Sequence, residues 1–281
     1  RAAPIHFLGR SHFTERVADS SCPSYLRDYV QSVSILCLDI GNTHAHWGVL
    51  DGRVVRAHGE VATKEFSETV VKKIISEYRP TGIAVASVVP RVSESLDSFF
   101  KNCGIRVELL RHDRLVGLGF DYPTPAEVGQ DRLADCIGAQ LVCGTPSIIV
   151  GMGTATTVDI LTEKGYAGGI IAPGMGLMTQ YLHERTALLP ALDAKNLLGG
   201  PAIGKSTIDA MRAGCTLGFA GMIGALLDGV VAELSKSGSS APKVVVTGGA
   251  AIYLPVSWKA KVQHEPNLTL IGLAEFYRRR L

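Results

Sequence analysis

Residues 35–50 read ILCLDIGNTHAHWGVL. The apolar run Ile35–Leu38 leads into Asp39. Gly41-Asn42-Thr43 makes a tight polar turn, and Ala45–Leu50 is a second apolar run closed by Asp51-Gly52. Apolar run, turn signal and apolar run predict a β-hairpin. Its tip is chemically equipped: a carboxylate ends a buried strand, a glycine lets a ligand approach the backbone, and two short hydrogen-bonding side chains follow. Backbone N–H groups, a hydroxyl and an oxygen ligand for a hard cation suit a phosphate and its Mg²⁺. The same residues are ordinary in an Asx-type turn, so the stretch alone leaves both readings open.

The pattern recurs. Ser147–Leu161, SIIVGMGTATTVDIL, is again an apolar strand, a Gly-rich polar turn and a second strand. At one constant offset Leu38 meets Val150, Gly41 meets Gly153 and Asn42 meets Thr154, while Gly151 stands opposite Asp39. Repetition at this scale predicts two related halves, with two phosphate-type hairpins clamping a polyphosphate between them.

Between the hairpins the strand and helix patterns alternate. Arg53–Glu60 reads as a third strand, Lys64–Tyr78 as an amphipathic helix with Phe66, Val70, Ile74 and Tyr78 in step, and Gly82–Val89 as a buried strand. Pro90–Phe100 follows as a helix with proline at its start, then the strand Arg106–Leu110 and the helix Gly129–Cys143. This order predicts an α/β fold with mixed sheets. In the second half, Gly165–Ile171 continues as a strand, Pro173–Ala187 as a helix and turn, and Ser206–Leu234 as a long helix. Gly214, Gly218, Gly221 and Ala225 on one side of that helix permit close packing, in the core or across a dimer. Lys243–Val246 runs into Thr247-Gly248-Gly249, a turn that admits a ribose or flat ligand. Ile271–Leu281 reads as a closing helix with a basic end.

The 281 residues carry 28 basic and 26 acidic side chains, a net charge of +2. That balance makes no electrostatic case for nucleic acid or an anionic membrane as partner. The six cysteines (22, 37, 103, 136, 143 and 215) show no CxxC spacing and read as buried thiols in a reducing compartment. The apolar stretch Ala213–Leu227 lies between Arg212 and Asp228 and is shorter than the roughly 20 residues a spanning helix needs. A cytoplasmic location is expected. Residues 1–33 read as an N-terminal extension with no leader pattern.

Gly199–Ser206 matches the phosphate-loop pattern GxxxxGK[ST] letter for letter, but Ala191–Leu198 before it is polar-interrupted where that loop needs a buried strand. Tyr122–Arg132, YPTPAEVGQDR, is a turn-rich loop entering a helix. Gly129 and Asp131 fall at the helix start, where N–H groups bind anions, and Asp131 beside Arg132 pairs a candidate base with a cation. A plain helix-capping aspartate fits the same pattern.

Together DIGNT at 39–43, VASVVP at 85–90, YPTPAEVGQDR at 122–132, GTATTVDIL at 153–161, GGIIAPG at 168–174, RTALLP at 185–190, IGKST at 203–207 and TGG at 247–249 resemble the type III pantothenate kinases of the acetate/sugar kinase–Hsc70–actin superfamily. The resemblance runs from about residue 34 to the end. It implies duplicated actin-like (ribonuclease H-like) domains with mixed five-stranded sheets, at 34–145 and 146–281, and an ATP cleft between them. It implies ATP-dependent phosphorylation of pantothenate to 4'-phosphopantothenate, the first step of coenzyme A biosynthesis, in a homodimer. Asp39, Ile40, Gly41, Asn42, Thr43, His44, Ala45, His46 and Thr154 would bind ATP, with Asp39 near Mg²⁺. Tyr122, Gly129, Gln130, Asp131, Arg132 and Thr186 would bind pantothenate, with Asp131 as catalytic base. Two positions depart from the family. His46 stands where Lys or Arg is common, and Gly151 stands where an acid commonly holds K⁺ or NH₄⁺. The rivals are a kinase of this fold for another small hydroxyl compound and a non-catalytic accessory factor for transcription.

Overall fold

The computed structural model describes residues 33–193, 197–236 and 240–281. The extension up to residue 32, Cys22 included, lies outside them. Two compact units form. The first takes in the chain up to Gly117 together with Ala126–Gly138 and Thr269–Leu281; the second takes in Leu118–Pro125 and Ala139–Leu268.

The first unit is built on a five-stranded sheet in the order β3-β2-β1-β4-β5. Its strands are β1 (Ser34–Ile40), β2 (His44–Asp51), β3 (Val54–Ala62), β4 (Gly82–Ser87) and β5 (Arg106–Leu109). β1 to β3 run antiparallel, and β4 and β5 parallel to β1. The parallel centre explains why β1 and β4 read as unbroken apolar runs, since both faces are covered. On one face lie α1 (Glu68–Tyr78) and α2 (Pro90–Asn102), whose Val71, Ile74 and Leu96 join Leu36, Leu38, Trp47 and Phe66 in the core. The expected helix from Lys64 breaks in two. Thr63–Glu65 form a separate 3-10 turn because Thr63 is tied to the hairpin, and α1 starts only after Ser67.

α3 (Gln130–Val142) begins in this unit, and α6 (Leu268–Arg278) completes it from the far end of the sequence. The two helices meet through the Thr269 hydroxyl, which donates to Asp135 Oδ1 at 2.6 Å, and through Gly272, where an added Cβ would lie 1.8 Å from the Ala134 carbonyl oxygen. The arginines after α6 then fasten it down. Arg280 donates to buried Glu108 Oε2 at 2.7 Å, and Arg106 grips the other oxygen of that carboxylate. Burial pushes the Glu108 pKa up, but the two guanidinium partners prevail and hold it below its ordinary value.

The second unit repeats the topology, with sheet order β10-β9-β6-β7-β8. Its strands are β6 (Ser147–Met152), β7 (Ala155–Thr162), β8 (Gly165–Pro173), β9 (Lys243–Thr247) and β10 (Val262–His264). The pairing senses match those of the first sheet strand for strand. α4 (Met175–Glu184) and α5 (Thr207–Lys236) pack beside it. α5 is 30 residues long, so the apolar stretch noted in the sequence is only its middle; by length and composition the whole helix could cross a bilayer. Its Cys215, Phe219, Ile223 and Leu227, four apart, are buried in this unit's core, and Met211 one turn earlier is buried as well. Gly214, Gly218 and Gly221 face the other way, with nothing within 4 Å of an added Cβ.

Candidate active site

In the first unit β1 delivers Asp39 to the hairpin turn. The Gly41 N–H donates to the His44 carbonyl at 3.1 Å, and Gly41 has no room for a side chain without pressing on that oxygen. Thr63 braces the turn from behind: its hydroxyl donates to the Gly41 carbonyl at 2.6 Å and its N–H to the Thr43 carbonyl at 3.0 Å. Asn42, Thr43 and His44 are left exposed on a fixed backbone. Ile40 and Ala45 are buried and support the turn rather than face solvent. His46 is exposed on β2, 3.9 Å from Glu60 on β3. Desolvation lowers the His46 pKa; Glu60 opposes this and His44 adds to it. A neutral ring at pH 7 offers a phosphate less than a lysine would.

The start of α3 comes to the same place. Asp131 curls back so that its Oδ1 accepts the Arg132 N–H at 2.9 Å. A Cβ at Gly129 would sit 2.5 Å from that oxygen, so glycine there makes the room the carboxylate occupies. Gln130 turns toward the sheet and accepts the Ser87 N–H on its Oε1 at 2.9 Å. Beside it lies a cavity of about 320 Å³ lined by Ser87, Arg111, His112, Glu127, Gly129 and Gln130 among others. Asp39 is pushed up to about 7, first by burial and then by the Asp131 carboxylate. Asp39 near the end of β1 and Asp131 in the first turn of α3 repel each other, and a pair of such oxygen donors fits a hard divalent cation.

The turn of the second unit is one residue shorter. Met152 pairs with Thr156, where Ile40 pairs with Ala45, so the constant offset between the halves ends at the turn. Gly153 N–H donates to the Ala155 carbonyl at 3.1 Å. Two glycines hold the turn from either side. Gly174 N–H donates to the Thr154 carbonyl, and a Cβ on Gly174 would lie 2.2 Å from that oxygen. Gly248, at φ 93°, would clash at 2.5 Å with the Met152 carbonyl. Gly248 is therefore required by the backbone of β6. Gly153 and Thr154 stay exposed. Gly151 occupies the strand position that Asp39 holds in the first sheet, between a parallel and an antiparallel partner. It brings no carboxylate, so a cation site built on an acid at this position does not fit.

Tyr122 stands edge-on to Tyr166, with ring centroids 5.3 Å apart, and over Gly168. Thr186 lies just beyond α4, exposed, its hydroxyl donating to the Leu182 carbonyl at 2.7 Å. The two sit on separate elements of the second unit; Asp39, Gly129, Gln130 and Asp131 gather in the first.

The GxxxxGK[ST] match is not a phosphate loop. Among the described residues no strand leads into Gly199, and Ser206 instead caps α5: its Oγ accepts the Asp209 N–H at 3.1 Å and donates to the Asp209 carboxylate at 2.8 Å. Sequence reasoning missed Thr63, and it quoted Ser87 within VASVVP without a role, because the roles of both depend on contacts distant in the chain. Gly174 lay inside the quoted GGIIAPG stretch, but the stretch did not show what it touches.

A family model described as type III pantothenate kinase matches residues 35–229. A protein named type III pantothenate kinase from Akkermansia muciniphila is 37% identical over 76% of this chain and 85% of its own length. One of the same name from Listeria monocytogenes is 34% identical over 87% of this chain and 97% of its own. Among solved structures, a ROK family glucokinase from Streptomyces griseus, in complex with glucose and AMPPNP, superposes with a TM-score of 0.52 at 13% identity, covering 86% of this chain and 98% of that one. The shared fold is a pair of duplicated actin-like domains.

Proposed function

We infer the reaction from one premise: the chain belongs to the type III pantothenate kinase family. It phosphorylates pantothenate with ATP to 4'-phosphopantothenate, opening coenzyme A biosynthesis. The observation that supports it best within this chain is the approach of Asp131, at the start of α3, to Asp39, buried near the end of β1 just before the β1–β2 turn. Phosphoryl transfer asks mainly for positioning and charge neutralisation, and these are what the residues offer. The Gly41 and Gly153 N–H groups close their own turns, and the exposed Asn42, Thr43 and Thr154 on those turns offer short polar side chains as phosphate seats. Asp39 would hold Mg²⁺, which would offset phosphate charge. Asp131 takes the proton of the pantothenate hydroxyl, and Arg132 offsets charge on the transferring group. Tyr122, Gly129 and Thr186 serve the rest of the substrate.

Transfer of label from γ-labelled ATP to pantothenate is the direct test, with a panel of other hydroxyl compounds beside it. Preference for another acceptor would replace the substrate, and no transfer at all would leave a non-catalytic protein. Because Gly151 brings no acid, rates in potassium and in sodium should agree within about twofold; a marked potassium activation would restore the cation site.

We propose a homodimer through α5. Gly214, Gly218 and Gly221 with exposed Leu217 form an apolar face smooth enough for a second copy to approach closely. Gly218→Glu should halve the mass seen by light scattering while leaving the circular dichroism spectrum intact. A monomeric wild type would refute the assignment. The near-neutral charge and the core role of α5 support a cytoplasmic enzyme without membrane or nucleic-acid partners.

A further inference from the structure

Gln130 sits where a substrate ligand is expected, yet its Oε1 is committed to the backbone of β4. The ladder between β4 and β5 runs from Gly82↔Arg106 to Val85↔Leu109 and closes with the Leu110 N–H donating to the Val85 carbonyl at 2.8 Å. In a parallel pair the donors on one edge recur every second residue. The next donor on this edge is therefore Ser87 N–H, and β5 has ended before reaching it. Gln130 Oε1 accepts it at 2.9 Å in place of the missing strand carbonyl. The neighbouring Val88 N–H faces the other way and donates to the Ile40 carbonyl of β1 at 3.1 Å, one residue past Asp39. Ser87 is held in turn by Ser93, whose hydroxyl donates to Ser87 Oγ at 2.7 Å. A short chain of bonds thus runs from β1 through the end of β4 to the residue immediately before Asp131.

We propose that Gln130 is a positioning residue: by completing the unfinished edge of β4 it fixes the first turn of α3, and with it the Asp131 carboxylate, against the hairpin that carries Asp39. This rests on the reading of Asp131 as the base. The Gly129 contact shows why the anchor matters. The carboxylate lies within the space a Cβ would fill, so a small shift of this turn redirects it, and misplacement of a reacting group by about 1 Å can cost on the order of 10² in rate.

Gln130→Met keeps length and removes the acceptor. It should lower kcat roughly ten- to hundredfold, with both KM values within about twofold and the melting temperature within a degree or two of wild type. Gln130→Glu, which keeps an acceptor oxygen at the same reach, should recover most of the loss. Gln130→Met added to Asp131→Asn should slow the enzyme no further, because Gln130 acts only through that carboxylate. A raised pantothenate KM at unchanged kcat would make Gln130 a substrate ligand and overturn the proposal. So would an unchanged kcat, a loss that follows the melting temperature, or a full additional loss in the double variant. Wild-type turnover in Asp131→Asn alone sinks the base reading. Full activity in Gln130→Met beside a slow Asp131→Asn sinks only the positioning role.

Discussion

Asp131→Asn lowers turnover by roughly 10² to 10⁴ and leaves ATP binding nearly intact. The amide oxygen of asparagine can still accept the Arg132 N–H, and the side chain still fits the gap over Gly129, so the helix start keeps its shape. The loss is confined to basicity at the substrate hydroxyl. A second readout comes from Asp39. Its pKa stands at about 7 through burial and then through the negative charge of Asp131. Removing that charge removes a repulsion that disfavours ionisation, so Asp39 should ionise at lower pH in the variant. Carboxyl-carbon NMR titration of the unliganded protein measures this directly. An unmoved Asp39 together with full turnover would separate the two carboxylates and end the reading of them as one site.

Gly272→Ala should cost about 3 kcal/mol of stability, at the upper end for an overpacked contact. The atoms in the way are backbone: the Ala134 carbonyl oxygen at 1.8 Å, its carbon at 2.7 Å and the Gly138 nitrogen at 3.0 Å. No flexible side chain can swing aside, so α6 must lift from α3. For a chain of this size the melting temperature should fall by roughly 6–12 °C. Gly229→Ala is the control: nothing lies within 4 Å of its Cβ, and alanine in a helix gains up to about 1 kcal/mol over glycine. Equal melting temperatures for the two variants would mean that α6 does not sit as tightly on α3 as described.

Both hairpins and the alternation of strands and helices were legible, because burial on two faces or one writes itself into the periodicity of each segment. β10 was not. Val262–His264 is three residues without an apolar alternation, and only its pairing with β9 makes it a strand. Thr63 fell between the expected strand and helix with no role, because its bond to Gly41, made just past the end of β3, has no local signature. The long helix α5 was legible almost to its ends, expected over Ser206–Leu234 and observed over Thr207–Lys236. Asp39 and Asp131 were both singled out, but as separate motifs; that they interact follows from the packing of α3 on the sheet, which neither motif encodes. Gln130 was expected as a substrate ligand from its place in the sequence; its bond to the Ser87 N–H is visible only once β5 is seen to end early.

The return of α6 to the first unit has a consequence for synthesis. A ribosome releases the hairpin, the helices α1 and α2 and the whole first sheet long before the residues that finish them. Until Leu268–Arg278 emerges, the side of the sheet that Leu270 and Tyr277 press against at Gly48 and Gly82 remains open, and Glu108 waits with one of its two arginines. The second unit contains all of its strands by then. The half made first is therefore the half completed last, and the nascent chain must carry an unfinished apolar face for most of its translation.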